Sequence, residues 1–525
     1  MKVLVSDNIS PNCVEILKNA GLEVDVKVGL KAEELKACIG DYHGLVIRSA
    51  TKVTAEIIDA ARNLKVIGRA GSGLDNVDKA AATKKGIVVM NTPGGNTITT
   101  AEHTIAHIVS LARKIPQATM SMKTGKWDKK KFMGVELFKK TLGIIGIGNI
   151  GSQVAKRMQA FAMNVIAYDP FLSGDQAKTM GIEKVDLEEV FKRSDFITIH
   201  TPLTPETKNL INKDTIKLMK QGVRIINCAR GGIINEKDLY DAIVEGQVAG
   251  AALDVFEKEP PENNPLLTLD NVICTPHLGA STKEAQENVA IAIAEQIVDY
   301  LVNGTIRNAI NFPSIPADQV SRLQPYINLA EKLGGFAAQI FEGGATEITI
   351  EYQGDASKIN TAPVTIAAIK GFLTPILEET VNFVNAPIIA KERGIEVKEL
   401  KTSDEGDYQS MIALRLRAKD KESYVAGALI SKKDPRIVCI DKFKVEIVPE
   451  GELLFMYNND KPGVIGNIGT LLGKNKINIA RMHFGRETPG GTAISVVSID
   501  THASQKIMNE IKKLPNILSI KQISL

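Results

Sequence analysis

The chain has 525 residues, a net charge of +3 and 44% hydrophobic residues, enough for roughly three to four domains with buried cores. Lysine and arginine are scattered rather than gathered into a basic footprint, which excludes a nucleic-acid binder, and no run approaches the length of a membrane span. Met1 leads straight into Val3-Leu-Val5 without a basic and then apolar leader, so a cytoplasmic protein is expected, and the five dispersed cysteines (Cys13, Cys38, Cys228, Cys274, Cys439) are expected to be reduced thiols.

The first ninety-odd residues alternate short apolar strands (Val3-Ser6, Gly44-Arg48, Lys65-Gly68, Ile87-Met90) with helical segments, the pattern of a parallel sheet wrapped by helices. Thr100 to Lys114 reads as a helix leading into a second α/β unit with strands at 142–147, 163–168, 196–201, 223–228, 249–255 and 272–275. These are near-continuous apolar runs, as a sheet covered on both faces requires. A long amphipathic helix at 281–303, with Val289, Ile293, Ile297 and Leu301 on one face, is expected to return to the first unit. Pro313 and Pro316 mark a linker. Beyond it come strands at 347–352, 411–418 and 438–448 with a helix around 363–385. The last segment reads strand 452–457, helix 463–474, strands 477–484 and 493–499, helix 503–513, strand 517–523, a βαββαβ ferredoxin-like order. The expected division is 1–97 with 285–312, then 98–284, 313–450 and 451–525.

Thr141 to Lys156 joins a buried strand, a Gly146-x-Gly148-x-x-Gly151 turn and a helix start. Gly146 permits the tight turn, Gly148 lets backbone amides approach a pyrophosphate, and Gly151 lets the helix pack on the strand. The next strand ends at Asp169, about 20 residues on, where a carboxylate would accept from the adenosine ribose hydroxyls and repel a 2′-phosphate. Pro170-Phe171 follow with no arginine. The nucleotide expected is therefore NAD rather than NADP.

Three polar residues stand just past the carboxyl ends of strands in this unit, the side on which open α/β sheets bind ligands. Arg230, in a turn before Gly231-Gly232, suits bidentate capture of a carboxylate, the lesser alternative being a surface ion-pair arginine. His277, after Cys274-Thr-Pro276, is the candidate proton shuttle, or else a structural histidine. Glu259 could orient its imidazole, or be a solvated loop acid. Asp254 is placed either to accept from a nicotinamide carboxamide or to cap a turn. His103 and His107 lie four apart on a helix, but no third ligand or catalytic glutamate accompanies them at metalloenzyme spacing, so no metal is expected and they read as a packing or interface surface.

Gly146-x-Gly-x-x-Gly151, Cys228-Ala-Arg-Gly-Gly232, Leu253-Asp-Val-Phe-Glu-Lys-Glu-Pro-Pro261 and Thr275-Pro-His-Leu-Gly279 together resemble the D-isomer-specific 2-hydroxyacid dehydrogenases. The resemblance implies a Rossmann-type NAD-binding domain with a flavodoxin-like substrate-binding domain. It implies Arg230, Glu259 and His277 as catalytic residues, and Asn149, Ile150, Asp169, Thr201, Cys228, Ala229, Asp254, Gly279 and Ala280 as NAD contacts. Ile47 to Val53, Gly68 to Asp78 and Trp127 to Gly134 resemble the branch that oxidises 3-phospho-D-glycerate, in its long form, with an α+β intervening domain and a C-terminal ferredoxin-like ACT domain.

A substrate with carboxylate and phosphate needs more than one fixed cation, and Arg48 and Arg69 end successive strands of the first unit. Ser49 and Asn96 would add neutral hydrogen bonds, and Ser72 would reach the cofactor phosphates. Lys129 to Lys131 reads as a solvated face, or by the resemblance as a loop near a neighbouring subunit's site. The resemblance further implies a homo-oligomer, a dimer of dimers. It also implies an anion-effector site in the intervening domain, with Lys432, Lys433 and Arg436 as cations, and feedback by L-serine at an interface of the last domain. There Asp460 would take the ammonium and Asn478 the polar groups, unless Asp460 merely caps a helix and Asn478 closes a turn. The alternatives are a reductase of hydroxypyruvate or glyoxylate type and a non-enzymatic NAD-sensing protein.

Overall fold

The computed structural model describes residues 1–313, 317–377, 381–404, 406–419 and 421–525. The first sheet has the strand order Glu23–Val26, Lys2–Val5, Gly44–Ile47, Val66–Arg69, Val88–Met90, all parallel, which is the flavodoxin-like arrangement. Val3, Leu4 and Val5 are all fully buried because helices cover both faces, and a Val or Leu side chain taken fully out of water contributes about 1.5–3 kcal/mol. Helix Lys283–Asn303 lies on this sheet through Val289, Ile293, Ile297 and Leu301, all buried. It sits so close that a Cβ on Gly68 would fall 2.7 Å from Ile297 Cδ1 and 2.8 Å from Ile293 Cγ1.

The second sheet is seven-stranded and parallel, ordered Val272–Cys274, Val248–Leu253, Val223–Asn227, Phe196–Ile199, Thr141–Ile145, Asn164–Tyr168, Glu183–Lys184. The strand order reverses between Thr141–Ile145 and Phe196–Ile199, which opens a crevice at the carboxyl ends of those strands, directly before the glycine turn. Helix Thr97–Arg113 leads into this unit and stops where Lys114 turns left-handed (φ 53°).

The third sheet has six strands, ordered Glu396–Thr402, Glu347–Gly354, Ser410–Ala418, Lys421–Ile430, Asp434–Ile440, Phe443–Ile447, antiparallel except for its first pair. Helices Ala317–Ile340 and Ala362–Leu373 pack on it. The last sheet is antiparallel, ordered Ile479–Arg486, Thr492–Ile499, Glu452–Asn459, Ile517–Ser524, with helices Val464–Lys474 and Gln505–Lys512 completing the ferredoxin-like unit.

The fold class agrees with the sequence; several elements do not. Glu23–Val26 and Glu396–Thr402 are edge strands whose charged, largely exposed residues show no apolar alternation. Glu183–Lys184 spans two residues. Strand Lys421–Ile430 is a further addition, and so is helix Ala317–Ile340, which follows the linker and carries Pro325 inside it. The helix expected at 363–385 ends at Leu373, and the strand expected at 438–448 is a hairpin turning at Asp441 (φ 51°). Pro316 and residues 378–380 lie outside the described residues.

Candidate active site

The glycine turn is shaped for a dinucleotide. Gly146 has φ 93°, and a Cβ there would lie 2.7 Å from the His200 carbonyl oxygen. A Cβ on Gly151 would lie 2.1 Å from the Gly146 oxygen, whereas one on Gly148 would meet nothing within 4 Å, so the turn is tight below and open above. Gly148 and Asn149 are exposed at the start of helix Asn149–Ala160, whose first amides point into that opening; Ile150 packs inward against the second unit's core. Asp169 stands beside it: Oδ2 accepts from the Ile147 amide at 2.8 Å and Oδ1 from the Phe171 amide at 2.8 Å. Thr201 Oγ1 is buried without a hydrogen-bond partner among the described residues, beside Gly146, which leaves a polar atom for a ligand to satisfy. These features fit NAD.

His277 and Glu259 come from separate loops and meet at 2.8 Å, Nδ1 to Oε2. A carboxylate can only accept, so Nδ1 carries the proton and Nε2 is left free to act as a base. The hydrogen bond to Glu259 raises the His277 pKa against the opposing effect of partial burial. Burial pushes Glu259 up, but the hydrogen bond and charge of His277 outweigh it, and the carboxyl lies below its ordinary value. The Glu259 loop is fixed by the Phe256 amide, which donates to Oε1 at 3.2 Å, and the His277 backbone turns left-handed (φ 55°) with its amide donating to the Asp254 carbonyl.

Arg230 reaches across the cleft. Its Nε lies 3.2 Å from Asp75 of the first unit, and its Nη2 occupies the space that a Cβ on Gly73 would need, 2.5 Å away. Asn227 shapes its loop, donating to the Arg230 carbonyl at 2.9 Å and accepting from the Ala229 amide at 3.0 Å. Gly231 is required, since a Cβ there would lie 1.8 Å from the Phe256 oxygen.

On the facing side, Arg69 donates from Nε to Asn76 at 3.0 Å, and its pKa is lowered first by burial and then by the charges of Arg230 and Arg48. Three guanidinium groups thus converge on the cleft. Asn76 also donates to the carbonyls of Arg48 (2.7 Å) and Thr51 (2.6 Å), and buried Asp7 accepts from the Arg48 and Thr51 amides. Asp7 and Asn76 escaped the sequence reading because their partners include backbone atoms of other loops, and Asp75 because its partner Arg230 is distant in sequence; Asn76 and Asp75 lie inside Gly68 to Asp78 but offered no separate signal. Ser49 is exposed at the rim. The Ser72 hydroxyl donates to Asn96 Oδ1 at 2.7 Å, joining a residue assigned to the cofactor side with one assigned to the substrate side.

Asp254 is 1% exposed and holds the loop after strand Val272–Cys274. Oδ1 accepts from Thr275 (2.6 Å), the Leu278 amide (2.7 Å) and His103 Nε2 (3.1 Å), and Oδ2 from the Gly279 amide (2.8 Å). Burial opposes its ionisation, but these donors outweigh that and its pKa is lowered. The turn-capping reading of Asp254 therefore has direct geometric support, and among the described residues Oδ2 accepts only from the Gly279 amide, which leaves it one further acceptor position. Ala280 follows, partly buried. Burial depresses the His107 pKa to about 4 and pushes the Cys228 thiol up to about 12.

Residues 105–279 match the NAD-binding domain of the D-isomer specific 2-hydroxyacid dehydrogenases, residues 322–441 the D-3-phosphoglycerate dehydrogenase intervening domain, and residues 453–516 the ACT domain. D-3-phosphoglycerate dehydrogenase of Methanocaldococcus jannaschii is 47% identical over 526 residues, covering 100% of both chains, and that of Bacillus subtilis is 44% identical over 100% of this chain and 99% of its own. The chain belongs to the D-3-phosphoglycerate dehydrogenase family. Among solved structures, the TT0316 protein of Thermus thermophilus superposes with TM-score 0.55 at 34% identity, over 59% of this chain and 100% of its own. NAD-dependent formate dehydrogenase of Staphylococcus aureus, solved in complex with NAD, superposes with TM-score 0.54 at 29% identity, over 59% and 99%. The chain is thus an oxidoreductase of this family with an NAD-binding domain, and among its described residues no helix is long and apolar enough to cross a membrane.

In the ACT domain Asp460 does not cap the following helix, whose N-cap is Gly463. Its Oδ2 accepts from the Gly490 amide (3.0 Å) and Arg486 (2.9 Å), which hold its pKa below the usual carboxylate range. Asn478 donates to Asp500 at 2.8 Å. Strand register puts the two at opposite ends of the sheet: Asn459 pairs with Thr492, whereas Ile479 pairs with Ile499. With about 3.3 Å per residue they are roughly 25 Å apart in one chain. Lys432 and Lys433 form the turn between Lys421–Ile430 and Asp434–Ile440, and Arg436 lines a cavity of about 540 Å³ with Asn328, Lys332 and Arg481. Lys129 is exposed.

Proposed function

We propose that the protein oxidises the C2 hydroxyl of 3-phospho-D-glycerate to 3-phosphohydroxypyruvate with NAD, the first step from that metabolite toward L-serine. The observation that carries this reading is the His277–Glu259 pair at 2.8 Å facing a cleft that Arg230, Arg69 and Arg48 approach from both units. NAD bound at the glycine turn would supply the hydride acceptor. His277 Nε2 takes the proton from the C2 hydroxyl as C2 gives up its hydride, and Glu259 stabilises the imidazolium that forms. Arg230 exchanges its exposed Asp75 partner for the substrate carboxylate, which costs little because the pair is solvent-screened. Arg48 and Arg69, with Ser49 and Asn96, hold the phosphate end; Ser72, hydrogen-bonded to Asn96, stands next to the cofactor phosphates.

Two cations beyond Arg230 favour a phosphorylated substrate over hydroxypyruvate or glyoxylate. The test compares 3-phosphoglycerate with glycerate in the wild type and in Arg69→Ala. Loss of a charged hydrogen bond is worth about 10- to 100-fold, so KM for 3-phosphoglycerate should rise by that factor with little change for glycerate. Equal losses for both substrates would refute the phosphate assignment.

L-serine is the proposed effector, at a site completed by two copies of the chain. Asp460 and Asn478 lie too far apart in one ACT domain to touch one amino acid, so a ligand using both takes them from different subunits, in keeping with a dimer of dimers. Serine must favour the less active conformation to inhibit. Calorimetric titration of wild type, Asp460→Ala and Asn478→Ala tests this, and undiminished binding to both variants would dispose of the site.

A further inference from the structure

Sequence spacing offers His103 and His107 no third ligand, but the fold provides one. Their Nε2 atoms lie 3.0 Å apart, and both reach Thr275 Oγ1, at 3.2 and 3.0 Å. Cys228, just past the end of strand Val223–Asn227, brings its Sγ close to the pair, and the ligand atoms of the three residues all lie within 4.8 Å of one another. Asp254 Oδ1 is 3.1 Å from His103 Nε2. Two imidazole nitrogens facing each other at this distance share one proton or present both lone pairs to a cation. Tetrahedral Zn–N bonds of 2.0–2.1 Å place two ligating nitrogens about 3.3 Å apart, within a few tenths of an ångström of the observed spacing.

We propose that His103, His107 and Cys228 form a three-ligand binding site for a soft divalent cation of the Zn²⁺ type, with its fourth position left to water. Two nitrogens and a sulfur make a zinc-like donor set, and Mg²⁺ or Ca²⁺ would require oxygen ligands throughout. Cys228 binds as the thiolate, its proton leaving to solvent. His103, with 19% of its side chain exposed, gives the ion an approach, while His107, Cys228 and Asp254 are buried. The ion would tie helix Thr97–Arg113 to the end of strand Val223–Asn227.

Cys228 is also assigned toward NAD, so the test reads metal binding directly in reduced, chelator-treated, NAD-free full-length protein. Titration with Co²⁺ should give one equivalent per chain, with the thiolate-to-cobalt charge-transfer band and the ligand-field absorption of a tetrahedral site, both displaced by Zn²⁺. Disturbing even an outer-shell partner typically costs about 10- to 100-fold in affinity, so His107→Gln should cost at least as much. Cys228→Ser should abolish the charge-transfer band, and Cys274→Ser should preserve it. Should His107→Gln fail to fold by circular dichroism, Cys228→Ser decides alone. Absence of the thiolate band in the wild type, or its survival in Cys228→Ser, overturns the proposal and leaves a proton-sharing histidine pair.

Discussion

Gly231→Ala tests whether the Arg230 and Glu259 loops work as one unit. The added Cβ would sit 1.8 Å from the Phe256 oxygen and 2.2 Å from its carbonyl carbon, where Cβ contacts below 3.0 Å essentially never occur. The two loops must therefore separate by about 1.2 Å. Phe256 donates to Glu259, and Arg230 precedes Gly231 directly, so the separation is passed to the base-orienting carboxylate and the carboxylate-gripping guanidinium together. A displacement of about 1 Å in a catalytic group can cost 10²-fold. Overpacking costs about 1–3 kcal/mol of stability against a typical 5–15, so the variant should remain folded. The assay is steady-state NADH formation, with NAD affinity measured separately by titration. We expect kcat/KM to fall about 10²-fold and NAD affinity to fall far less, because the Gly146–Gly151 turn is untouched. Gly232→Ala is the control: its φ of 80° makes alanine strained, but the nearest atoms to its Cβ are Leu203 methyls at 3.7 Å, so it should lose stability more than rate. Near-wild-type kcat/KM in folded Gly231→Ala would refute the coupling.

Other variants probe separate parts of the site. Glu259→Gln removes the group that raises the His277 pKa; hydroxyl oxidation needs the neutral imidazole, so the acid limb of the kcat/KM profile should move to lower pH while the plateau falls, and an unmoved limb would contradict the pairing. Asp169→Ala should erode the preference for NAD over NADP, and an unchanged ratio of turnover with the two cofactors would argue against the ribose assignment. Asn76→Ala removes donors to two carbonyls and the acceptor of Arg69; it should cost about 1–3 kcal/mol in denaturant unfolding and raise KM for the substrate, whereas loss of NAD affinity alone would contradict its placement.

Much of this was legible because its information is local. The glycine turn, Asp169 at the end of the next strand, and polar residues after apolar runs each lie within a short window. What stayed hidden depends on distance in space. Nothing near Arg230 in sequence announces Asp75, and nothing near His107 announces Cys228. Asp460 and Asn478 are expected at an interface of the last domain, but that they stand at opposite ends of its sheet follows only from strand register. Edge strands such as Glu23–Val26 escaped because hydrogen bonding on one side, rather than burial on both faces, makes them strands. Asn76 was silent because its partners are main-chain carbonyls, which carry no residue identity.

The most direct test of the central claim follows NADH absorbance on mixing the wild type and His277→Ala with 3-phospho-D-glycerate and NAD. Sustained NADH production by the wild type, reduced about 10²- to 10⁴-fold in a His277→Ala variant that still binds NAD, is the predicted result. No NADH from the wild type, or a His277→Ala rate within a few-fold of it, would contradict the account.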